Sequence, residues 1–142
     1  MTSCHLGYTG TQLGMNRMQL AAVEAWCAEL ALQHDEIVAH HGMCVGGDEQ
    51  FHHIARRLGF QIVGWPCDLT DKQAQLTVDQ RMPVTRPLIR NRRMVVHLTE
   101  LLAAPAQRSE VLRSGTWATV RAAYRAAVPV TIVYPDGWTE RP

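Results

Sequence analysis

Apolar residues follow two rhythms along this chain: short runs rich in β-branched side chains, and longer stretches with apolar positions three and four residues apart. The first run, residues 4–8, predicts a strand, and TGTQLG predicts the turn after it. A helix is predicted over about 16–33, opened by Asn16 and Gln19 as a capping-box pair, with Leu20, Val23, Cys27 and Leu30 on one face. EIVAHH reads as a second strand and GMCVGGD as its loop. Asp48 is placed to cap the next helix, where Phe51, Ile54, Ala55 and Leu58 share a face and Gly59 ends the run. FQIVGW predicts a third strand, stopped by Pro66. Residues 67–86 keep neither period, and so long a stretch reads as a functional or mobile loop with a helical turn. A helix over about 88–98 and a strand at ELLAAP follow. RSGTWATVR opens a last helix with Trp117, Val120, Tyr124 and Ala127 inward; VPVTIVYP is a fifth strand and DGWTERP a tail.

Strand and helix alternate with short connections, which implies right-handed crossovers and an α/β fold. The expected architecture is a mostly parallel sheet of about five strands with helices on both faces. One domain spans 1–142, with a short C-terminal tail within 132–142. Ligands of such sheets sit beyond the carboxyl ends of the strands, where strand order reverses. The loops gathered there are 9–14, 42–48, 66–86 and 105–116, which hold much of the glycine and hydroxyl content.

Composition narrows the function classes. Hydrophobic residues make up 46% and charged residues 19%, as in an ordinary globular domain. A formal net charge of +1 speaks against a wholesale nucleic-acid or membrane-surface binder. Cys4, Cys27, Cys44 and Cys67 form no CxxC pair, and the first residues lack the pattern of a signal peptide. Reduced thiols in the cytoplasm are the expectation, with no membrane partner.

The candidate chemistry is anion binding. In RSGTWATVR a helix N-terminus would present unpaired N–H groups, with Gly115 allowing close approach and Arg113, Ser114, Thr116 and Trp117 around it. Ser114 as a plain helix cap is the competing reading. Gly46 and Gly47 repeat the logic after the second strand, where Asp48 either caps the helix or accepts from a ribose hydroxyl. Thr9 and Gly10 add a third glycine-bearing loop at the same edge. RMPVTRPLIRNRR carries five arginines in 13 residues and no acid: a solvated helix face, or a phosphate clamp at Arg90 and Asn91. The pairs His40–His41 and His52–His53 spell out no set of three or four converging ligands, so no metal site is read, nor any cofactor. No GxSxG, HExxH or P-loop motif is present.

The order GMCVGGDEQFH, RNR, ELLAAP, SGTWATVRAA resembles the Rossmann-like SLOG superfamily, and within it the core of DNA-processing protein A. Gly46, Asp48 and His52 match that family's Gly-x-Asp with a histidine four residues on. Arg90, Asn91 and Arg92 match its Arg-Asn-Arg, and Ser114, Gly115, Thr116 and Thr119 its Ser-Gly-Thr with a following threonine. The resemblance spans about 4–137 and implies a nucleotide-derived small-molecule ligand and a homo-oligomer, a dimer or larger. The related Lonely Guy phosphoribohydrolases place a catalytic glutamate where this chain has Thr119, and threonine cannot take that acid–base role. The resemblance thus implies a protein that senses or sequesters a signalling nucleotide. The alternatives are an N-glycosidic hydrolase or transferase using Asp48 or Glu49, and single-stranded DNA binding through the arginine run.

Overall fold

A computed structural model describes residues 3–142. Seven strands form one sheet: β1 (Ser3–Gly10), β2 (Glu36–His41), β3 (Gln61–Gly64), β4 (Gln80–Arg81), β5 (Glu100–Ala104), β6 (Val130–Val133) and β7 (Thr139–Glu140). Their spatial order is β4-β3-β2-β1-β5-β6-β7, parallel throughout except for β7 against β6. The chain therefore builds outward from β1 in one direction, then returns to place β5 on its other side. That reversal, between β1 and β5, is the switch point of the sheet.

Four helices cover the two faces: α1 (Arg17–Ala31), α2 (Gly47–Arg57), α3 (Pro87–Val95) and α4 (Gly115–Arg125). One core lies under α1 and α2 around Leu6, Tyr8, Val23, Phe51 and Ile62. The other lies under α3 and α4 around Met94, Leu101, Trp117, Val120 and Ile132. Strands buried on both faces read as nearly continuous apolar runs, which is why ELLAAP and VPVTIVYP were legible. The capping box of α1 is present: Gln19 N–H donates to Asn16 Oδ1 at 2.9 Å, and Asn16 N–H donates to Gln19 Oε1 at 3.3 Å.

The structure departs from the sequence expectation in four places. The sheet has two more strands than the expected five. β4 lies within 67–86 and β7 within the tail, and each has two residues, too few for a period to show. The 67–86 stretch is tied down: it holds a short 3-10 turn (Thr70–Lys72) and is bonded to the β2 loop by Val45 N–H to Lys72 O and Ala74 N–H to Met43 O, both 2.8 Å. Tyr124 is 60% exposed, because Ala122 and Ala123 take the inward positions of α4's last turns. Ala127 lies past the helix at φ 59° and is exposed as well. Finally, Asp48 does not cap α2. Gly46, at φ 87°, is the N-cap, so Asp48 falls inside the first turn and faces back toward the loop.

Candidate functional site

The switch point opens into a crevice of about 540 Å³ at the carboxyl edge of the sheet, a size that suits a small-molecule ligand. Its walls come from the β1–α1, β2–α2 and β5–α4 loops, the N-terminal half of α3 and the 3-10 turn.

The β5–α4 side carries the helix N-terminus. Ser114 Oγ accepts from Trp117 N–H at 3.3 Å, so the capping reading of Ser114 holds. The first-turn N–H groups of a helix have no carbonyl ahead of them, which leaves those of Gly115 and Thr116 at the crevice wall. A Cβ at Gly115 would meet nothing within 4 Å, so the glycine keeps that wall open rather than relieving strain. Thr119 Oγ1 donates to Gly115 O at 3.0 Å, which ties its hydroxyl to the helix backbone.

Arg90, buried at 8% exposure, forms the opposite wall. Its Nη1 donates to Gly42 O at 2.9 Å and Trp65 O at 2.7 Å, and its Nε donates to Asn91 Oδ1 at 2.7 Å. These bonds fix the guanidinium in the crevice wall. Among the described residues no carboxylate lies within ion-pair distance of it. Arg90 thus serves the fold as well as the crevice. Asp48 Oδ2 accepts from Gly42 N–H at 3.1 Å and Cys44 N–H at 3.2 Å, bracing the β2 loop. Burial pushes its carboxyl up to about 6, although Arg90 and those two N–H groups pull the other way. Among the described residues it is the only acid on the crevice wall, against the cations Lys72, Arg90 and Arg113.

Tyr8 is the residue that sequence reasoning missed. Its ring stacks on Phe51 at 4.8 Å, and its hydroxyl lies enclosed at the crevice with no hydrogen-bond partner among the described residues. Gly10 and Gly47 make room for it: a Cβ on Gly47 would lie 2.7 Å from that hydroxyl, and one on Gly10 would collide with it. Burial first, then the nearby Asp48 charge, raises its pKa well above the ordinary value, so the phenol remains a donor. Lys72, Cys44 and Cys67 also line the crevice without a sequence signal, since they belong to segments with no period.

Thr9, Gly10, Asp48, Arg90, Asn91, Arg113, Ser114, Gly115 and Thr116 are brought together on the wall. Gly46, Gly47, His52 and Trp117 are not. A Cβ on Gly46 would strike the Gln12 carbonyl, and Gly47 N–H donates to Thr11 O at 2.8 Å, so both lie close behind the β1–α1 loop. Trp117 is buried in the second core with its indole N–H unpaired. His52 pairs with His41 at 3.0 Å. Met43 N–H donates to His41 Nδ1 at 3.0 Å, so the neutral His41 carries its proton on Nε2 and gives it to His52 Nδ1. Burial holds His41 neutral, with a pKa lowered to about 3. This bond helps to hold Met43 at φ 59°, a conformation that nonglycine residues rarely adopt. Glu49 is half-buried and lies off the crevice wall.

No family model matches the chain, and no curated protein matches it. Solved structures do. A molybdenum cofactor binding protein from Rippkaea orientalis superposes with a TM-score of 0.70 at 19% identity, covering 94% of this chain and 78% of the other. The molybdenum cofactor carrier protein of Chlamydomonas reinhardtii gives 0.64 at 19% identity, covering 92% and 76%. DNA processing protein A from Streptococcus pneumoniae gives 0.65 at 15% identity, covering 92% of this chain and 53% of that longer one. The fold these structures share with the chain is a Rossmann-like α/β domain.

Proposed function

We propose that this chain binds a phosphorylated, nucleotide-derived small molecule in the crevice, and that its use is to sense or sequester that molecule. The observation that carries the reading is the crevice's charge. Three cations and a helix N-terminus face a single acid, in a chain whose formal net charge is only +1. Leu13, Leu69 and Leu88 are exposed yet line the same crevice, an apolar rim that suits a heterocyclic base. The names of two structural neighbours add the molybdenum cofactor to the ligands worth testing.

Binding without turnover fits Thr119, whose hydroxyl is committed to Gly115 O where the related hydrolases have a glutamate. Asp48 supports a second reading, an N-glycosidic hydrolase. A carboxyl that titrates at about 6 beside a crevice has the character of a general acid or base.

Small molecules released by heat from natively purified protein, identified by mass spectrometry, test both readings. Calorimetry with nucleoside monophosphates, cyclic dinucleotides and molybdenum cofactor then measures affinity. An intact phosphorylated ligand, bound more weakly by a folded Gly115→Ala variant, supports the binder. Free base accumulating over many turnovers, and lost in Asp48→Asn, makes the protein a hydrolase. No affinity for any phosphorylated ligand overturns both.

A further inference from the structure

A second cluster lies at the opposite, amino-terminal edge of the sheet. Cys4 near the start of β1, His34 in the turn between α1 and β2, and Glu100 at the start of β5 each direct a donor atom to one point, with the three atoms within 4.8 Å of one another. Cys4 Sγ and Glu100 Oε2 are 3.4 Å apart. In a tetrahedral zinc site, with bonds of roughly 2.3 Å to sulfur and 2.1 Å to oxygen, that separation would be about 3.6 Å. Cys4 and Glu100 thus already hold the spacing, and His34, within 4.8 Å of both, completes the set by side-chain rotation.

Two further features point the same way. His34 Nδ1 is enclosed and has no hydrogen-bond partner among the described residues. Thr99 Oγ1 lies 3.4 Å from Cys4 Sγ and is also bonded to both backbone groups of His5, which fixes the start of β1 against the approach to β5. Metal ligands are commonly oriented by such outer partners.

We propose that Cys4, His34 and Glu100 form a binding site for a divalent transition-metal ion of the zinc type. Thiolate, imidazole and carboxylate together favour such an ion over magnesium or calcium, which prefer all-oxygen shells. On binding, the Cys4 thiol releases its proton to solvent, and thiolate plus carboxylate neutralise the two positive charges in a largely enclosed place. Three protein ligands leave a fourth position for water. The ion joins β1, the end of the first crossover and β5, so it acts as a clamp on the fold, apart from the crevice at the other edge.

The test uses the full chain, stripped with chelator under reducing conditions and titrated with cobalt(II) chloride and then zinc chloride. The expected result is one equivalent of cobalt, a thiolate-to-cobalt charge-transfer band, tetrahedral visible bands, and displacement by one equivalent of zinc with a rise in Tm. Cys4→Ser removes the charge-transfer band. His34→Gln and Glu100→Gln each weaken zinc binding at least about tenfold, the lower end of what losing even an outer partner costs. His34 lies on a connecting turn, so its variant carries the test if Cys4→Ser fails to fold. No cobalt band in the parent protein, or a band and affinity unchanged in both His34→Gln and Glu100→Gln, overturns the proposal.

Discussion

Replacing Tyr8 by Phe should move stability and affinity in opposite directions. The hydroxyl is enclosed without a partner while the ring stacks on Phe51, and phenylalanine keeps the stack. Leaving a buried polar group unsatisfied costs about 1–3 kcal/mol, so removing the hydroxyl should stabilise the free protein by about 1–2 kcal/mol. For a domain of this length, that is a rise in Tm of roughly 3–7 °C. A ligand that reaches the hydroxyl loses a hydrogen bond. If its acceptor is an anionic phosphate oxygen the loss is about 1.5–3 kcal/mol, a Kd raised roughly ten- to a hundredfold. Differential scanning calorimetry of the free protein and isothermal titration with the ligand recovered from native protein give the two numbers. A lower Tm with an unchanged Kd would falsify the reasoning, because it would show a hydroxyl already satisfied in the free protein and idle toward the ligand.

Arg90→Lys should lower both quantities, because lysine cannot reproduce the bonds to Gly42 O, Trp65 O and Asn91 Oδ1. About 1.5–3 kcal/mol of stability should go with them, and an unchanged Tm would show that these bonds contribute little. Arg125→Lys, on an exposed position, should change neither Tm nor affinity. Gly46→Ala should cost more than about 2 kcal/mol in urea unfolding, since φ 87° strains any L side chain and the new Cβ would strike the Gln12 carbonyl. A variant as stable as the parent would mean that the β1–α1 loop gives way freely. Asp48 binds its proton more tightly in the folded protein, at about 6 against an ordinary 3.8. Its contribution to stability therefore falls as pH rises from about 4 to 6 and is flat above, by about 3 kcal/mol in all. Measured as the difference between Asp48→Asn and the parent, the variant should gain over that window and no further. His41 titrates with the opposite sign, losing stability below about 6.5, but it is present in both proteins and cancels. Parallel stability curves from pH 4 to 7 would exclude the raised carboxyl.

What the sequence determined by itself is what one element can reveal of its own faces. The alternation of periods yields the parallel sheet, and the parallel sheet places the glycine-bearing loops at one edge. Asn16 with Gln19, and Ser114 before Gly115, announced two helix starts because a cap is a contact across three residues. Tertiary structure decided everything that rests on longer contacts. β4 and β7 exist because β3 and β6 offer them edges, not because two residues have a period. Asp48 turned from cap to loop brace once Gly46 took the N-cap position, and Arg90 became part of the core when Gly42 O and Trp65 O came within its reach. The Tyr8 hydroxyl is left unpaired by ring stacking and by two glycines, one of them 39 residues away in the chain. Cys4 and Glu100 are 96 residues apart, and they meet only because β5 returns to lie beside β1. No local pattern carries such pairs, since their energy depends on desolvation and geometry that the folded sheet alone supplies.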